Sequence, residues 1–146
     1  MAISDWIDEL VKVAGSIDGM KAPRVFARDE FPDAIVKYPI ALTFVENVSM
    51  FYPDSGPNQD VWVGSTEFHL VGDTSKKNYP RIMRYYELIR NAFTAKRLLL
   101  DVAGRSVLLK LQAENGPSIE MVVLQYGSEA PHLGLVAHWR VWERYS

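Results

Sequence analysis

The sequence contains no cysteine. Disulfide bonds, thiolate nucleophiles and cysteine-ligated zinc are therefore excluded, and the fold must be stabilised by packing alone. No apolar run approaches the ~20 residues that a membrane-spanning helix needs. The N-terminus also lacks the basic start and the long apolar centre of an export signal, which predicts synthesis and residence in the cytoplasm.

An excess of charge is missing as well. The 16 basic and 18 acidic side chains give a formal net charge of -2. They are dispersed along the chain, so no long-range field gathers a phosphate backbone or anionic lipid. Short basic pairs such as Lys76-Lys77 and Lys96-Arg97 are typical of solvated helix ends. The charge pattern therefore disfavours specific binding to duplex DNA.

What is present is the composition of one globular domain. The 146 residues are 48% hydrophobic and 23% charged, which is ordinary for a chain that buries one core. No internal repeat, linker or low-complexity tract divides the sequence. We therefore predict a single domain over residues 1–146.

Two segments have helical periodicity. In the first, Ser4 is the predicted N-cap and Gly15 the predicted end. The second follows the turn residues Gly72 to Ser75, and Pro80 places its start nearby because proline is tolerated in a first turn but not in a helix interior. Its apolar positions alternate steps of three and four residues: Tyr79, Ile82, Tyr86, Ile89 and Phe93. Both segments predict amphipathic helices that pack on a core.

Pro39 to Phe51 and Val61 to Val71 are rich in β-branched and aromatic residues, which predicts a long hairpin. In the second run we expect one packed face and one more polar face. The packed face would hold Trp62, Thr66, Phe68 and Leu70, and the polar face Val63, Ser65, Glu67 and His69. The nine residues between the runs, Tyr52 to Asp60, are more than a hairpin needs, and long loops are often contact sites.

Further strands are predicted after the second helix. They are Leu98 to Val102, Ser106 to Gln112, Ile119 to Tyr126 and Leu135 to Tyr145. In the last one, Trp142 lies between Arg140 and Arg144 on the polar face, where it is either covered by a neighbouring loop or held for a partner. The order of elements predicts an α+β fold, a mostly antiparallel sheet with two packing helices.

The titratable residues do not form a catalytic or metal-binding motif. The only imidazoles are His69, His132 and His138, each near a carboxylate in sequence: Glu67, Glu129 and Glu143. Their spacing matches neither H-x-H nor H-E-x-x-H, so no metal or cofactor is predicted. No Gly-x-Ser-x-Gly turn exposes a serine nucleophile. Asp54 and Asp60 stand among prolines and glycines, which is typical of solvated turns. Because none of these residues forms a catalytic motif, we predict that the protein is not an enzyme.

Two loops are candidates for recognition, Tyr52 to Asp60 and Gly127 to Gly134. Both combine stiffening prolines with turn-forming glycines and a bulky neighbour, so each can hold a shape and present apolar area. A plain solvated loop is the alternative for either one. The predicted subunit or partner interface consists of Tyr52, Pro53, Asp54, Pro57, Asp60, Pro131, Leu133, Trp142 and Arg144.

The order of elements as a whole carries a resemblance. It consists of the N-terminal helix, a connector ending in Tyr38-Pro39, the long hairpin with its loop, the helix from Asp73 to Ala95 and the closing strands. This order resembles the tail terminator or tail completion (head-tail joining) proteins of long-tailed bacteriophages. The resemblance covers most of the chain as element order and size, without a diagnostic motif.

The resemblance implies a virion structural protein of the neck or tail, made in the host cytoplasm. It implies a homohexameric ring that ends tail-tube growth, contacts the tail tube protein and the head-proximal connector, and lets DNA pass without sequence-specific binding. Contacts within such a ring are heterologous. The loop Tyr52 to Asp60 would then meet a different patch on the next copy, near Trp142 and Arg144.

Two other functions remain open from the residues. One is a small-ligand or regulatory binding domain of the same fold class, whose pocket would be lined by Phe44, Trp62, Phe68 and Trp139. Core packing is the alternative for all four aromatic residues, and it is favoured for Phe68 and Trp139. The other is a metal-dependent or hydrolytic enzyme that uses the histidines, which metal analysis of the purified protein would detect.

Overall fold

The computed structural model describes residues 3–23, 38–51, 58–102, 105–125 and 130–145. Its elements in chain order are α1 (Ile3–Gly15), β1 (Ile40–Phe51), β2 (Asn58–His69), α2 (Tyr79–Ala95), β3 (Leu98–Val102), β4 (Arg105–Leu111), β5 (Ile119–Leu124) and β6 (His132–Tyr145). Over these ranges, two helices and one six-stranded antiparallel sheet confirm the predicted α+β class. None of the described helices has the length and apolar character needed to span a bilayer.

The strands form one sheet in the order β1-β2-β6-β4-β3, and β6 is its longest strand at 14 residues. β2 pairs along one side of β6, from Asn58 opposite Tyr145 to His69 opposite Gly134. On the other side, the first half of β6 pairs with β5 and the second half with β4. Each of β1, β3 and β5 has one strand neighbour in the described sheet, so these three strands form its edges.

The core lies between the two helices and one face of the sheet, which we call the helix face. Trp6 of α1 packs on Trp62 and Trp139, with ring centroids 5.6 and 6.0 Å apart. Phe93 of α2 packs edge-on against Phe68 at 6.2 Å. Trp6, Phe68 and Trp139 are fully buried. Because full burial of one large apolar side chain is worth about 1.5–3 kcal/mol, these contacts dock both helices on the sheet.

Helix α2 begins where the sequence predicts. Pro80 occupies its first turn, and the buried residues are among those expected to face the core: Ile82, Ile89 and Phe93. The preceding turn is fixed by Asp73, whose Oδ1 accepts hydrogen bonds from the Ser75 backbone N–H at 3.0 Å and from Asn78 Nδ2 at 2.7 Å. A short 3₁₀ turn, Lys76–Asn78, leads into the helix.

Several predicted boundaries are wrong. Helix α1 already begins at Ile3, so Ser4 lies inside its first turn. β2 begins at Asn58 rather than Val61, because its first three residues pair with the end of β6. The segment between β1 and β2 is therefore residues 52–57, which lies outside the described residues. β6 begins at His132, so its first three residues belong to a strand and not to the predicted loop.

The largest correction concerns the face of the sheet opposite the helices, which we call the second face. Ser65, Glu67 and His69 of β2 were expected to form the more polar face of that strand, but they are 1%, 4% and 0% exposed. Leu42 and Phe44 of β1, which share this face, are also buried. The part of the sheet formed by the first half of β1 and the second half of β2 is therefore covered on both faces. The alternation of apolar and polar residues in β2 does not mark a face in contact with solvent.

Candidate interaction surface

The second half of β1 is an open edge of the sheet. A register irregularity between Val45 and Asn47 separates it from the first half. All side chains from Glu46 to Met50 are exposed, and Val48 and Met50 are 45% and 54% exposed. Proteins commonly guard an edge strand with lysine or proline, but residues 46–51 contain neither. This edge is therefore suited to contact with another chain.

Strand β5 is an open edge on the other side of the sheet. Within the described sheet it pairs with β6 alone, and Met121 and Val123 are 40% and 60% exposed. Together with Val48 and Met50, these are four of the six large apolar side chains that the described part of the chain exposes. Apolar residues on an uncovered edge favour aggregation unless a partner covers them.

Trp142 lies on the second face, near the C-terminal end of β6. The sheet register places it between Val61 of β2 and Leu108 of β4, and it is half-buried. Arg140 and Arg144 share its face because they are two positions away on the same strand. The Nε of Arg140 is buried, and no described residue accepts a hydrogen bond from it. We call Val61, Leu108, Arg140, Trp142 and Arg144 together the tryptophan face.

A cleft of about 640 Å³ lies next to the tryptophan face, where the end of α2 meets β4. Its lining combines apolar surface from Phe93, Leu111 and Trp142 with the cations Arg97 and Lys110. The volume falls within the range of about 300–1,000 Å³ that is usual for small-molecule sites. The mixture of cations and apolar surface suits a ligand that joins an anionic group to an apolar one.

The imidazoles of His69 and His132 bond to each other on the buried half of the second face. His69 Nδ1 lies 2.7 Å from His132 Nε2, and His132 Nδ1 lies 3.1 Å from the Ala130 carbonyl oxygen. Because only an N–H can donate to that carbonyl, a neutral His132 accepts at Nε2 and His69 donates through Nδ1. His69 Nε2 lies 3.5 Å from Glu67 Oε2. The sequence does not reveal this network, because its polar residues have the spacing of a solvent-facing strand.

The histidine pair bears directly on metal binding. The facing nitrogens of His69 and His132 bond to each other, so they do not point jointly at a metal position. His138 does not join this pair, and its Nε2 lies 3.1 Å from Glu120 Oε1. Glu143, the carboxylate near His138 in sequence, faces the helices instead. Among the described residues, no group of three or more histidine, aspartate or glutamate side chains is arranged to hold a metal ion.

The structure describes five of the nine residues predicted to form an interface. Four lie outside the described residues: Tyr52, Pro53, Asp54 and Pro57. Asp60 is half-buried in β2, and Pro131 is exposed immediately before β6. Leu133 is 4% exposed and packs in the core, so the prediction that it presents apolar area to a partner is wrong for the single chain. Trp142 and Arg144 lie together on the tryptophan face.

The four aromatic residues predicted to line a ligand pocket do not converge. Trp62, Phe68 and Trp139 face the helices, whereas Phe44 lies on the second face opposite Ser65. Phe68 and Trp139 are fully buried in the core. Core packing, and not a shared pocket, is therefore the structural role of Phe68 and Trp139.

Comparison with known proteins does not place the chain in a family. No protein-family model matches the sequence, and no curated protein matches it. The function must therefore be argued from the two open edges, the tryptophan face and the cleft.

Proposed function

We propose that this chain is a virion structural protein of the phage neck or tail, a tail terminator whose ring ends tail-tube growth and joins the connector. The supporting observation is the pair of open edges, with Val48 and Met50 exposed on β1 and Met121 and Val123 exposed on β5. Apolar side chains persist on a strand edge where a partner covers them. Assembly with further copies of the chain accounts for both edges at once.

The position of the two edges favours a ring over a two-fold dimer. β1 and β5 lie on opposite sides of the described sheet, so they are different surfaces. A contact between two different surfaces is heterologous, and it continues from copy to copy until the rotation closes. The number six comes from the resemblance to tail terminators.

The other proposed partners also come from that resemblance. They are the tail tube protein on one side of the ring and the head-proximal connector on the other. DNA passes through the centre without sequence-specific binding, and the formal net charge of -2 on each copy supports this by limiting attraction to phosphate. The protein would be made in the host cytoplasm and located in the neck or tail of the virion.

In this proposal the protein acts by assembly and not by catalysis. One cluster of titratable side chains in the described residues consists of Glu67, His69 and His132. It is buried, which keeps substrate away from it. The carboxylate of Glu120 and the ring of His138 form a partly exposed pair. Neither arrangement offers a nucleophile with a general base beside it.

Size-exclusion chromatography with light scattering tests the proposal directly. Six copies of a 16.6 kDa chain have a mass of about 100 kDa. Negative-stain images of the same fraction should show rings with a central opening. A sample that keeps the mass of one chain up to its highest soluble concentration would contradict the proposal.

The cleft beside the tryptophan face favours a second candidate, a small-ligand or regulatory binding domain. Its volume of about 640 Å³ and its cations Arg97 and Lys110 support binding of an anion with an apolar part. A monomer or dimer whose melting temperature rises with such a ligand would favour this function. The variant Arg97→Gln tests whether the cleft is the binding site, because it should abolish the rise in melting temperature. Without ligand its melting temperature should be nearly unchanged, because Arg97 is exposed.

A further inference from the structure

The backbone direction of β5 determines which strand can add to its edge. In an antiparallel sheet, the N–H and C=O groups of one residue point toward the same side, and the side alternates along the strand. The carbonyl of Ser118, just before β5, accepts a hydrogen bond from the His138 N–H of β6 at 2.8 Å. Alternate residues of β5 share that direction, so Met121 and Val123 point their backbone groups away from β6.

The second half of β1 has the matching arrangement. The Ala41 N–H donates to the Lys21 carbonyl at 2.7 Å, on the side away from β2. Ala41 opposes Phe68 of β2, while Val48 and Met50 oppose residues of β2 that lie an even number of positions from Phe68. Val48 and Met50 therefore also point their backbone groups out of the sheet.

The side-chain directions of the two edges are also compatible with pairing. Val48, Met50, Met121 and Val123 all oppose residues that face the helices, so all four side chains lie on the helix face. The lengths agree as well, since β5 has six residues, as many as the stretch 46–51 that forms the open half of β1.

We propose that β5 of one copy adds antiparallel to the second half of β1 of the next copy. Val48 then lies opposite Val123, and Met50 lies opposite Met121. In this register, the residues whose backbone groups point outward meet as hydrogen-bonded pairs, and their apolar side chains pack together on one face. The same contact covers four exposed apolar side chains.

This inference rests on the proposed ring, because it names the contact between neighbouring copies. Each copy has one β1 and one β5, so every copy can bind one neighbour through β1 and another through β5. Within one chain, Met121 lies level with Phe68, whereas Met50 lies level with Asp60. The register therefore offsets neighbours along the strands by about eight residues, roughly 27 Å. A closed ring then has strands inclined to its axis, as the strands of barrels are.

Because the chain has no cysteine, disulfide trapping tests the pairing without background. A variant carrying both Met50→Cys and Met121→Cys should form, on oxidation, a ladder of covalent oligomers that ends at the ring number. Hydrogen-bonded antiparallel partners lie about 5.5 Å apart between Cα atoms, within the range of a disulfide. A mixture of the two single variants should give covalent dimers, and each single variant alone should remain uncrosslinked.

The matched control combines Met50→Cys with Met83→Cys. Met83 is 49% exposed but lies on α2, outside both edge strands, so this variant should form no ladder. Ser49→Cys alone tests the competing two-fold pairing of β1 with β1, in which Val48 of one copy faces Met50 of the other and Ser49 faces its own equivalent. Efficient covalent dimers from Ser49→Cys would overturn the inference.

A charge on one edge separates this inference from the proposed function. Val123→Lys should raise the concentration at which the ring dissociates by roughly tenfold or more, because it places a cation in an apolar contact, whereas Met83→Lys should leave it unchanged. A wild-type ring that is neither linked by the Met50→Cys/Met121→Cys pair nor weakened by Val123→Lys overturns the strand pairing and leaves the ring intact. A monomeric wild-type chain overturns the ring itself.

Discussion

Gly64 is the position in β2 at which one added methyl group should destabilise the fold most. It lies directly opposite Trp139 of β6. A Cβ at this position would overlap both the indole ring of Trp139 and the backbone carbonyl oxygen of Phe44. Glycine inside a strand often marks such a close approach. Gly64→Ala should therefore force the neighbouring strand and the indole ring apart.

The indole ring has little room to move. Trp139 is fully buried, packs edge-on against Trp6 at 6.0 Å, and donates from Nε1 to Thr66 Oγ1 at 3.2 Å. Overpacking a core costs about 1–3 kcal/mol, and losing the hydrogen bond adds about 1 kcal/mol. Gly64→Ala should then lower the free energy of unfolding by roughly 2–4 kcal/mol. In a domain of this size, that lowers the melting temperature by about 5–15 °C.

Urea unfolding followed by tryptophan fluorescence measures this change, with all variants at one protein concentration. Gly15→Ala is the control, because its Cβ would lie 3.7 Å from Ala22 Cβ, an ordinary contact, and should change stability by less than about 0.5 kcal/mol. Trp139→Phe in the Gly64→Ala background should recover part of the loss, since the shorter ring leaves space for the methyl group. A Gly64→Ala protein as stable as Gly15→Ala would refute the reasoning.

Three further predictions concern single side chains. Thr66→Val removes a buried hydroxyl that accepts a hydrogen bond from the core indole, and should lower the free energy of unfolding by about 1–3 kcal/mol in a thermal melt. His132→Leu removes the acceptor of His69 Nδ1 and should cost about 1–3 kcal/mol, whereas His138→Leu, which breaks a partly exposed pair, should cost less than about 1 kcal/mol; equal losses would contradict the buried network. In the ring implied by the resemblance, the loop Tyr52 to Asp60 meets the next copy near Trp142, so Trp142→Ser should reduce the ring population measured by light scattering, and an unchanged oligomer would remove Trp142 from that loop contact.

Local patterns predicted the elements that depend on near neighbours in sequence. The three- and four-residue spacing of α2, with Pro80 in its first turn, places that helix correctly because helix formation depends on residues within one or two turns. Period-two spacing likewise placed Trp142 and Arg144 on one face of β6, since side chains alternate along any strand. Boundaries were less accurate, because Asn58 joins β2 through pairing with Tyr145, which is far away in sequence.

The candidate interaction surface shows the same division. The sequence by itself predicted the amphipathic helices, the long hairpin and the α+β class, and it contained no motif for catalysis, but it did not single out Val48, Met50, Met121 and Val123 as contact residues. Only the tertiary structure decided that Val48 and Val123 lie on open edges, and that Glu67 and His69 are buried. The physical reason is that edge position and burial depend on which distant segments pack beside a strand, and strand order is set by the whole core.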